Sequence, residues 1–354
     1  MLHVSHHLGL GGYMEPISAK VTDMRNRPLR DLRISITDRC NFRCTYCMPK
    51  ELFGRDYVFL PREKILRFEE IAKLTRIFVS LGVEKVRITG GEPLLRKEVE
   101  KLIALLAQIP NLDITLTTNG ARLAEKAQAL KDAGLQRITV SLDSLDEPIF
   151  RAINDVDFPV AQVLEGINIA AHAGLAPIKI NAVIKRGVNQ QSILPLARAF
   201  QGTGHILRFI EYMDVGHSNG WRMDDVVASA EIIKTINAEM PIEPVDPNYK
   251  GEVAGRFRYC DGSGEIGIIA SVTQPFCADC NRARLSADGH LYTCLFATEG
   301  HDLLGLLRSG ATDEQIKDAI VRVWQNREDR YSEIRGAETM RDGLPRVEMS
   351  YLGG

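Results

Sequence analysis

Leu32-Arg33-Ile34-Ser35-Ile36-Thr37-Asp38-Arg39-Cys40-Asn41-Phe42-Arg43-Cys44-Thr45-Tyr46-Cys47 runs from an alternating apolar segment straight into a cysteine-rich loop. The alternation predicts a strand over Leu32–Thr37, with Arg33, Ser35 and Thr37 on one face and Leu32, Ile34 and Ile36 on the other. The three cysteines that follow have C-x3-C-x2-C spacing. Thiolates are soft ligands that suit zinc or iron–sulfur clusters. A fourth would close a zinc site or fully ligate a cluster. Three leave one metal position open, and an open iron can bind a small molecule and pass it an electron. A structural zinc knuckle completed by a distant His or Cys is the competing reading. The aromatics Phe42 and Tyr46 inside the loop, and the strand before it, argue against the knuckle.

The strand is the first of a series. Further strands are expected at Lys85–Thr89, Asp113–Thr118, Arg137–Leu142, Ile178–Lys185 and His205–Met213. Between them lie helical runs at Phe68–Leu81, Lys97–Ala107, Leu123–Ala133, Val160–Ala173 and Gln191–Phe200, three of them followed by Gly82, Gly134 or Gly174. Such alternation implies parallel strands with crossover helices. Six units fall short of the eight of a closed barrel, so the fold class is α/β: an incomplete (β/α)6 TIM-type barrel. A doubly wound sheet is the alternative. Each strand carries one polar face: Arg87 with Thr89, Thr139 with Ser141 and Asp143, Lys179 with Asn181, and Glu211 with Met213. Parallel strands are normally apolar on both sides. Polar faces that include Arg and Lys therefore predict a lumen holding a charged ligand. Gly90-Gly91-Glu92-Pro93 follows the second strand at the same end as the cysteine loop, where backbone could approach a ligand closely.

Composition narrows the setting. The 354 residues are 45% hydrophobic and 25% charged, as in ordinary soluble globular proteins. A net charge of −2 gives no global attraction for nucleic acid or an anionic membrane. No apolar run reaches the roughly 18 residues of a membrane helix. The N-terminal residues lack a signal-peptide pattern and include His3, His6 and His7. Residues 1–28 are expected to be a mobile extension, residues 29–214 the partial barrel and residues 215–354 a C-terminal region. The 7 cysteines divide as three, three and Cys260, which argues for a reducing cytoplasm with metal sites rather than a disulfide framework. Cys260 is expected to be a buried or inert thiol.

The C-terminal region holds the second triplet, Cys277, Cys280 and Cys294, with C-x2-C-x13-C spacing. A zinc site completed by His290 or His301 is one reading. The other starts from Arg282 and Arg284, which share a face if Arg282–Ser286 is a strand. Two guanidiniums beside a three-cysteine metal site suit a polyanion.

Together these motifs resemble the MoaA family of radical S-adenosylmethionine (SAM) GTP 3′,8-cyclases, from about Leu29 to Gly354. The matching segments are Leu32–Pro49, Val86–Pro93, Thr117–Gly120, Ser141–Ser144, Arg208–Met213, Cys277–Leu285 and the terminal Gly353-Gly354. The resemblance implies a SAM-binding 4Fe–4S cluster on Cys40, Cys44 and Cys47, and a second 4Fe–4S cluster facing the purine on Cys277, Cys280 and Cys294. It implies SAM contacts at Tyr46, Gly91, Ser141 and Met213. GTP contacts are implied at Arg33, Arg87, Thr118, Lys179, Arg282, Ala283 and Arg284, with Arg282 and Arg284 also catalytic. Thr118 rests on resemblance alone, because simple alternation groups it with Leu116 and Ile114.

The implied chemistry is reductive SAM cleavage, hydrogen abstraction from C3′ of the ribose, and attack of C3′ on C8 of guanine. It is the first step of molybdenum cofactor biosynthesis. The family also implies a cytoplasmic homodimer, an electron donor, delivery of the product to cyclic pyranopterin monophosphate synthase, and a Gly-Gly tail that enters the active site. A radical SAM enzyme acting on a peptide or another small molecule is the rival reading. A neutral peptide has no need of Arg282 and Arg284.

Overall fold

The computed structural model describes residues 21–216, 218–335 and 346–353. A parallel sheet forms where the alternation places it. β1 (Asp31–Ser35), β2 (Lys85–Thr89), β3 (Asp113–Thr118), β4 (Arg137–Ser141), β5 (Lys179–Ile184) and β6 (Ile206–Glu211) pair in chain order, each parallel to the next. The crossovers carry helices α1 (Phe68–Ser80), α2 (Val99–Ala107), α3 (Leu123–Asp132), α4 (Glu147–Asn154), α5 (Val160–Ala170) and α6 (Ile193–Phe200). The outward faces of the strands make the core with these helices. Leu32, Ile34, Val86, Ile88, Ile114, Leu116, Ile138, Val140, Leu207 and Phe209 are each 1% exposed or less. Burying such a side chain contributes about 1.5–3 kcal/mol, so one-residue slips that turn these faces inward are excluded.

Helix α4 is absent from the sequence reading, which leaves Leu142 to Val160 without a helix. Its start is capped by Asp146, whose carboxylate accepts from Ile149 N at 3.0 Å. Its end is occupied by the cysteine loop. Arg43 N donates to Asn154 O at 2.8 Å and Thr45 N to Ile153 O at 3.0 Å. These bonds satisfy carbonyls that a helix end leaves free. Phe42 packs edge-on against Phe150 of the same helix.

The C-terminal region does not build a sheet of its own. β9 (Glu265–Ile269) pairs parallel with β6, and β10 (Arg282–Leu285) pairs parallel with β1. Antiparallel strands β7 (Ile242–Val245) and β8 (Gly255–Tyr259) extend one flank, and β11 (His290–Tyr292) and β12 (His301–Asp302) extend the other. The order is β12-β11-β10-β1-β2-β3-β4-β5-β6-β9-β8-β7. The terminal strands do not pair, so the barrel stays open, and its exposed edges are covered by later parts of the same chain. The boundary expected at residues 214–215 therefore separates no sheets. Helices α7 (Ser229–Asn237), α8 (Leu303–Arg308) and α9 (Asp313–Gln325) complete the outer layer.

Two further expectations change. Residues 21–28 of the extension expected to be mobile are pinned, with Asp23 5% and Arg27 2% exposed and a bridge between Thr22 and Pro28. Residues 1–20, with His3, His6 and His7, lie outside the described residues. Glu211 does not share a lumen face with Met213. It falls in register with Leu207 and Phe209 behind the sheet, where its carboxylate accepts from Ser229 N at 2.6 Å, Val272 N at 2.7 Å and Thr273 N at 2.9 Å. The carboxylate thereby ties β6 to the start of α7 and to the segment after β9. Glu211→Ala would strand these buried donors, each costing about 1–3 kcal/mol. We expect a melting temperature several degrees lower by differential scanning fluorimetry, with iron content after reconstitution unchanged.

Candidate active site

A single cavity of about 760 Å³ runs through the barrel and is lined by all six triplet cysteines, Cys40, Cys44, Cys47, Cys277, Cys280 and Cys294. The first three stand at the C-terminal end of β1, where ligands of parallel α/β folds bind. The second three flank the start of β10. Because β10 lies beside β1, the two triplets open into the same space.

The cavity wall is cationic. Pairing of β1 with β10 and β2 puts Arg33 beside Arg284 on one side and Arg87 on the other. Arg87, Arg282 and Arg284 are 8%, 7% and 3% exposed. Burial holds the guanidinium of Arg33 well below its usual range, and the neighbouring charges of Arg284, Arg282 and Arg87 push it the same way. Arg284 is pushed down to about 10 by burial and by Arg282. The Nε atoms of Arg33, Arg87 and Arg284 are buried without a hydrogen-bond partner. Asp31, the carboxylate that faces this group, is instead 2.8 Å from Lys85 Nζ. Buried polar groups are ordinarily satisfied. Unpaired guanidinium N–H groups aimed into one cavity mark the place of an anion with several oxygens.

Arg208 joins this wall although the sequence reading passed over it. β6 presents Ile206, Arg208 and Ile210 to the lumen, the opposite alternation from the one expected. Arg208 Nε donates to Asn181 Oδ1 at 2.9 Å, and burial with the Arg87 charge brings it down to about 9. Lys85, Arg137 and Tyr249 also line the cavity. The first two lie two residues before Arg87 and Thr139, so the same period-two rule could have found them. Lys179 is brought down to about 7 by burial, with Arg208, Arg137, Arg87 and Lys85 adding to the effect.

At the cysteine-loop end, Gly90-Gly91-Glu92 lies against backbone. Gly91 N donates to Thr37 O at 2.7 Å and Glu92 N to Arg39 O at 2.8 Å. A Cβ at Gly91 would sit 2.4 Å from Arg39 O, so only glycine permits this approach. Glu92 is fully buried, and burial raises its carboxyl to about 7 even though it accepts from Asn119 N, Leu94 N and Thr118 Oγ1. Thr118 borders the cavity, but its hydroxyl donates to Glu92 at 2.8 Å and accepts from Gly120 N at 3.0 Å. Its visible work is to orient Glu92. Tyr46, Gly91, Ser141 and Met213 line the cavity, and the Tyr46 hydroxyl donates to Asp143 Oδ2 at 2.7 Å. Ala283 is set apart from its neighbours Arg282 and Arg284, with its methyl fully buried in the core.

The donor sets fit iron–sulfur clusters better than zinc. Among the described residues, no three His, Cys, Asp or Glu side chains converge as a single metal ion requires. Cluster ligands bind separate irons and need no such convergence. His290 Nδ1 is 3.2 Å from Asp288 Oδ2, His301 is exposed, and neither lines the cavity. Burial pushes the Cys40 thiol up to about 11 and raises Cys44 and Cys47 as well. Burial acts the same way on Cys280, but Arg282 and Arg327 overcome it and hold that thiol at about 5. Cys260 is exposed in the turn after β8, which excludes the buried thiol, one of its two expected forms.

The C-terminal tail returns to the same place. Met349 and Ser350 line the cavity, and a Cβ on Gly353 would lie within 1.9 Å of Thr89 Oγ1. Arg346 Nη1 donates to Asp214 Oδ2 at 3.0 Å, Ser218 Oγ donates to Glu348 Oε2 at 2.8 Å, and the Tyr351 hydroxyl donates to Asp288. Gly354 lies outside the described residues.

Comparison with known proteins agrees with this geometry. Residues 34–200 match the family model of the radical SAM superfamily, and residues 205–333 match that of Molybdenum Cofactor Synthesis C. The chain is similar to the GTP 3′,8-cyclase of Acidothermus cellulolyticus, 52% identical over 94% of this chain and 99% of that protein. The GTP 3′,8-cyclase of Xanthomonas axonopodis pv. citri is 51% identical over 96% and 100%, and that of Staphylococcus aureus is 47% identical over 95% and 99%. Streptococcus suis SuiB bound to S-adenosylmethionine shares the fold, with a TM-score of 0.58 at 14% identity over 90% of this chain and 72% of that one. With near-full-length identity of this order, spanning both matched regions, the chain belongs to the GTP 3′,8-cyclase family of the radical SAM superfamily.

Proposed function

We propose that this protein is a GTP 3′,8-cyclase that converts GTP to (8S)-3′,8-cyclo-7,8-dihydroguanosine 5′-triphosphate in molybdenum cofactor biosynthesis. The observation that carries the reading is the set of buried, unpartnered guanidinium N–H groups of Arg33, Arg87 and Arg284 in a cavity that both cysteine triplets line. Cys40, Cys44 and Cys47 would hold a 4Fe–4S cluster and Cys277, Cys280 and Cys294 a second. When bound, the reduced first cluster supplies the electron that splits SAM.

The chain's own residues bind, align and enclose. Arg33, Arg87, Lys179, Arg208 and Arg284 neutralise the triphosphate, which in turn relieves their mutual repulsion. Thr117 and Thr139 keep Arg87 in place, accepting from its Nη1 at 3.0 and 3.2 Å. Gly91, Ser141, Met213 and Tyr46 border the space for SAM, and Asp143 fixes the Tyr46 hydroxyl. Residues Met349–Gly353 cover the cluster end and keep water from a reactive intermediate. On the family reading the enzyme is a cytoplasmic homodimer, draws on an electron donor, and passes its product to cyclic pyranopterin monophosphate synthase. Among the described residues no helix is long and apolar enough to cross a membrane.

Anaerobic protein reconstituted with iron and sulfide, then given dithionite, SAM and GTP, is expected to form 5′-deoxyadenosine and a cyclised guanine nucleotide detectable by mass spectrometry. Deoxyadenosine without GTP conversion would overturn the substrate. Arg284→Ala is expected to weaken GTP binding about 10- to 100-fold in calorimetry, since hydrogen bonds to charged groups contribute roughly 1.5–3 kcal/mol. Iron content should stay the same, and unchanged affinity would remove Arg284 from the site. Lys179 gives a pH signature. Its free-protein value of about 7 leaves much of it neutral above pH 7. A bound triphosphate raises that value, so binding takes up a proton. GTP affinity should therefore fall from pH 7 to pH 9, and the fall should be smaller in Lys179→Met.

A further inference from the structure

Behind the second cysteine triplet lies a buried polar network centred on Arg327, which borders the cavity beside Cys280. Arg327 is 3% exposed, and its guanidinium stacks 4.6 Å from the centroid of the Trp324 ring. Its Nη1 donates to Cys280 O at 2.7 Å and to Asp23 Oδ2 at 3.2 Å, and its Nε to Asp329 Oδ2 at 3.3 Å. Its Nη2 donates to Cys280 Sγ at 3.2 Å. Asp23 is equally committed. Its Oδ2 also accepts from Arg27 Nε at 2.6 Å, and Arg27 Nη1 donates to Cys277 O at 2.8 Å. Two guanidiniums joined through one buried carboxylate thus grip the carbonyls of Cys277 and Cys280, and one of them reaches on to a sulfur.

We infer that Arg327 is a fixed hydrogen-bond donor to the Cys280 ligand and raises the reduction potential of the second cluster. The inference rests on the reading that Cys277, Cys280 and Cys294 hold an iron–sulfur cluster. Hydrogen bonds to cluster sulfurs are among the levers that set cluster potential, because a donated N–H stabilises the extra electron density of the reduced state. Partners that orient a metal ligand also tune the metal.

Arg282 reaches the same sulfur, with Nη2 3.3 Å from Cys280 Sγ. The two donors differ in what else they can do. Arg282 belongs to the cationic wall, where a bound anion competes for its N–H groups. Arg327 has Nε, Nη1 and Nη2 all committed to protein partners, and Asp23 holds it there. Although Arg327 borders the cavity, its N–H groups are taken up by protein, so its donation to sulfur persists with substrate bound and makes it a positioning residue.

The test uses full-length protein reconstituted with both clusters. Iron and sulfide are counted, and midpoint potentials are read by EPR-monitored redox titration of wild type, Arg327→Gln and Arg327→Lys. SAM perturbs the signal of the first cluster and so assigns the two waves. In Arg327→Gln the second cluster is expected to become harder to reduce, by about tenfold in its oxidised-to-reduced ratio, which is about 59 mV for a one-electron couple. The first cluster should not move, and Arg327→Lys should recover part of the shift. An unshifted second wave in an Arg327→Gln sample with both clusters intact overturns the inference. So does equal movement of both waves, or loss of the second cluster in both variants, which would make Arg327 an assembly residue. Wild-type protein carrying iron and sulfide for only one cluster would instead remove the cluster reading on which the inference rests.

Discussion

The parallel pairing of β10 with β1 is the constraint on which the site depends. A six-stranded partial barrel exposes two edges, and an unpaired edge is a template for aggregation. This chain covers one edge with β9 and the other with β10. The second covering does more than satisfy backbone groups. Its register sets Asp31 beside Arg282 and Arg33 beside Arg284, and it delivers Cys277 and Cys280 to the cavity that the first cysteine loop already borders. A shift of one residue would turn Arg282 and Arg284 into the core and Ala283 and Leu285 into the lumen.

That register has an electrostatic cost. Arg33, Arg87 and Arg284 gather where burial and like charge both oppose ionisation, whereas for Arg282 burial is outweighed by Cys280. The surroundings offset part of it. Thr117 and Thr139 accept from Arg87, Asn181 accepts from Arg208, and the Cys280 sulfur accepts from Arg282. The remainder is stored as binding capacity for a polyanion. Sites prepared in this way pay the cost of ordering during folding instead of during binding. Selectivity follows from the same arrangement, because a neutral ligand would leave the buried guanidiniums as unsatisfied as before.

The two cysteine triplets are held by different means. The first cysteine loop is tied by backbone: its N–H groups end α4, and Gly91 and Glu92 bond to Thr37 and Arg39. The second is tied by side chains, through Arg27, Arg327 and Asp23. Around the first loop's sulfurs burial raises the thiols, and the carboxylates of Glu92 and Asp143 add to it. Guanidinium ties bring positive charge to Cys280. The two sites therefore differ electrostatically although their cysteine numbers match.

Much of this was legible in the sequence because it is local. Period-two alternation gives the strand faces, so Arg33, Arg87, Ser141 and Lys179 could be assigned to the lumen from neighbours two residues away. Cysteine spacing and the glycines of Gly90-Gly91 are equally local. Where local patterns conflict, the reading failed. In β6 the polar Glu211 drew attention from Arg208, and only packing against α7 shows which alternation faces inward. Helix α4 is too short for its period to stand out, and its partner is the cysteine loop itself. Residues 21–28 looked like a loose terminus because the reasons for their order, Cys277, Arg327 and Asp329, lie some 250 to 300 residues away. The sequence by itself determined the strand–helix alternation, the two thiolate triplets and the residues with charge to offer. Only the tertiary structure decided that β10 joins β1, that both triplets share one cavity, and that Arg208 and Arg327 belong to it. Those outcomes depend on strand pairing and burial between distant segments, and no short-range periodicity encodes them.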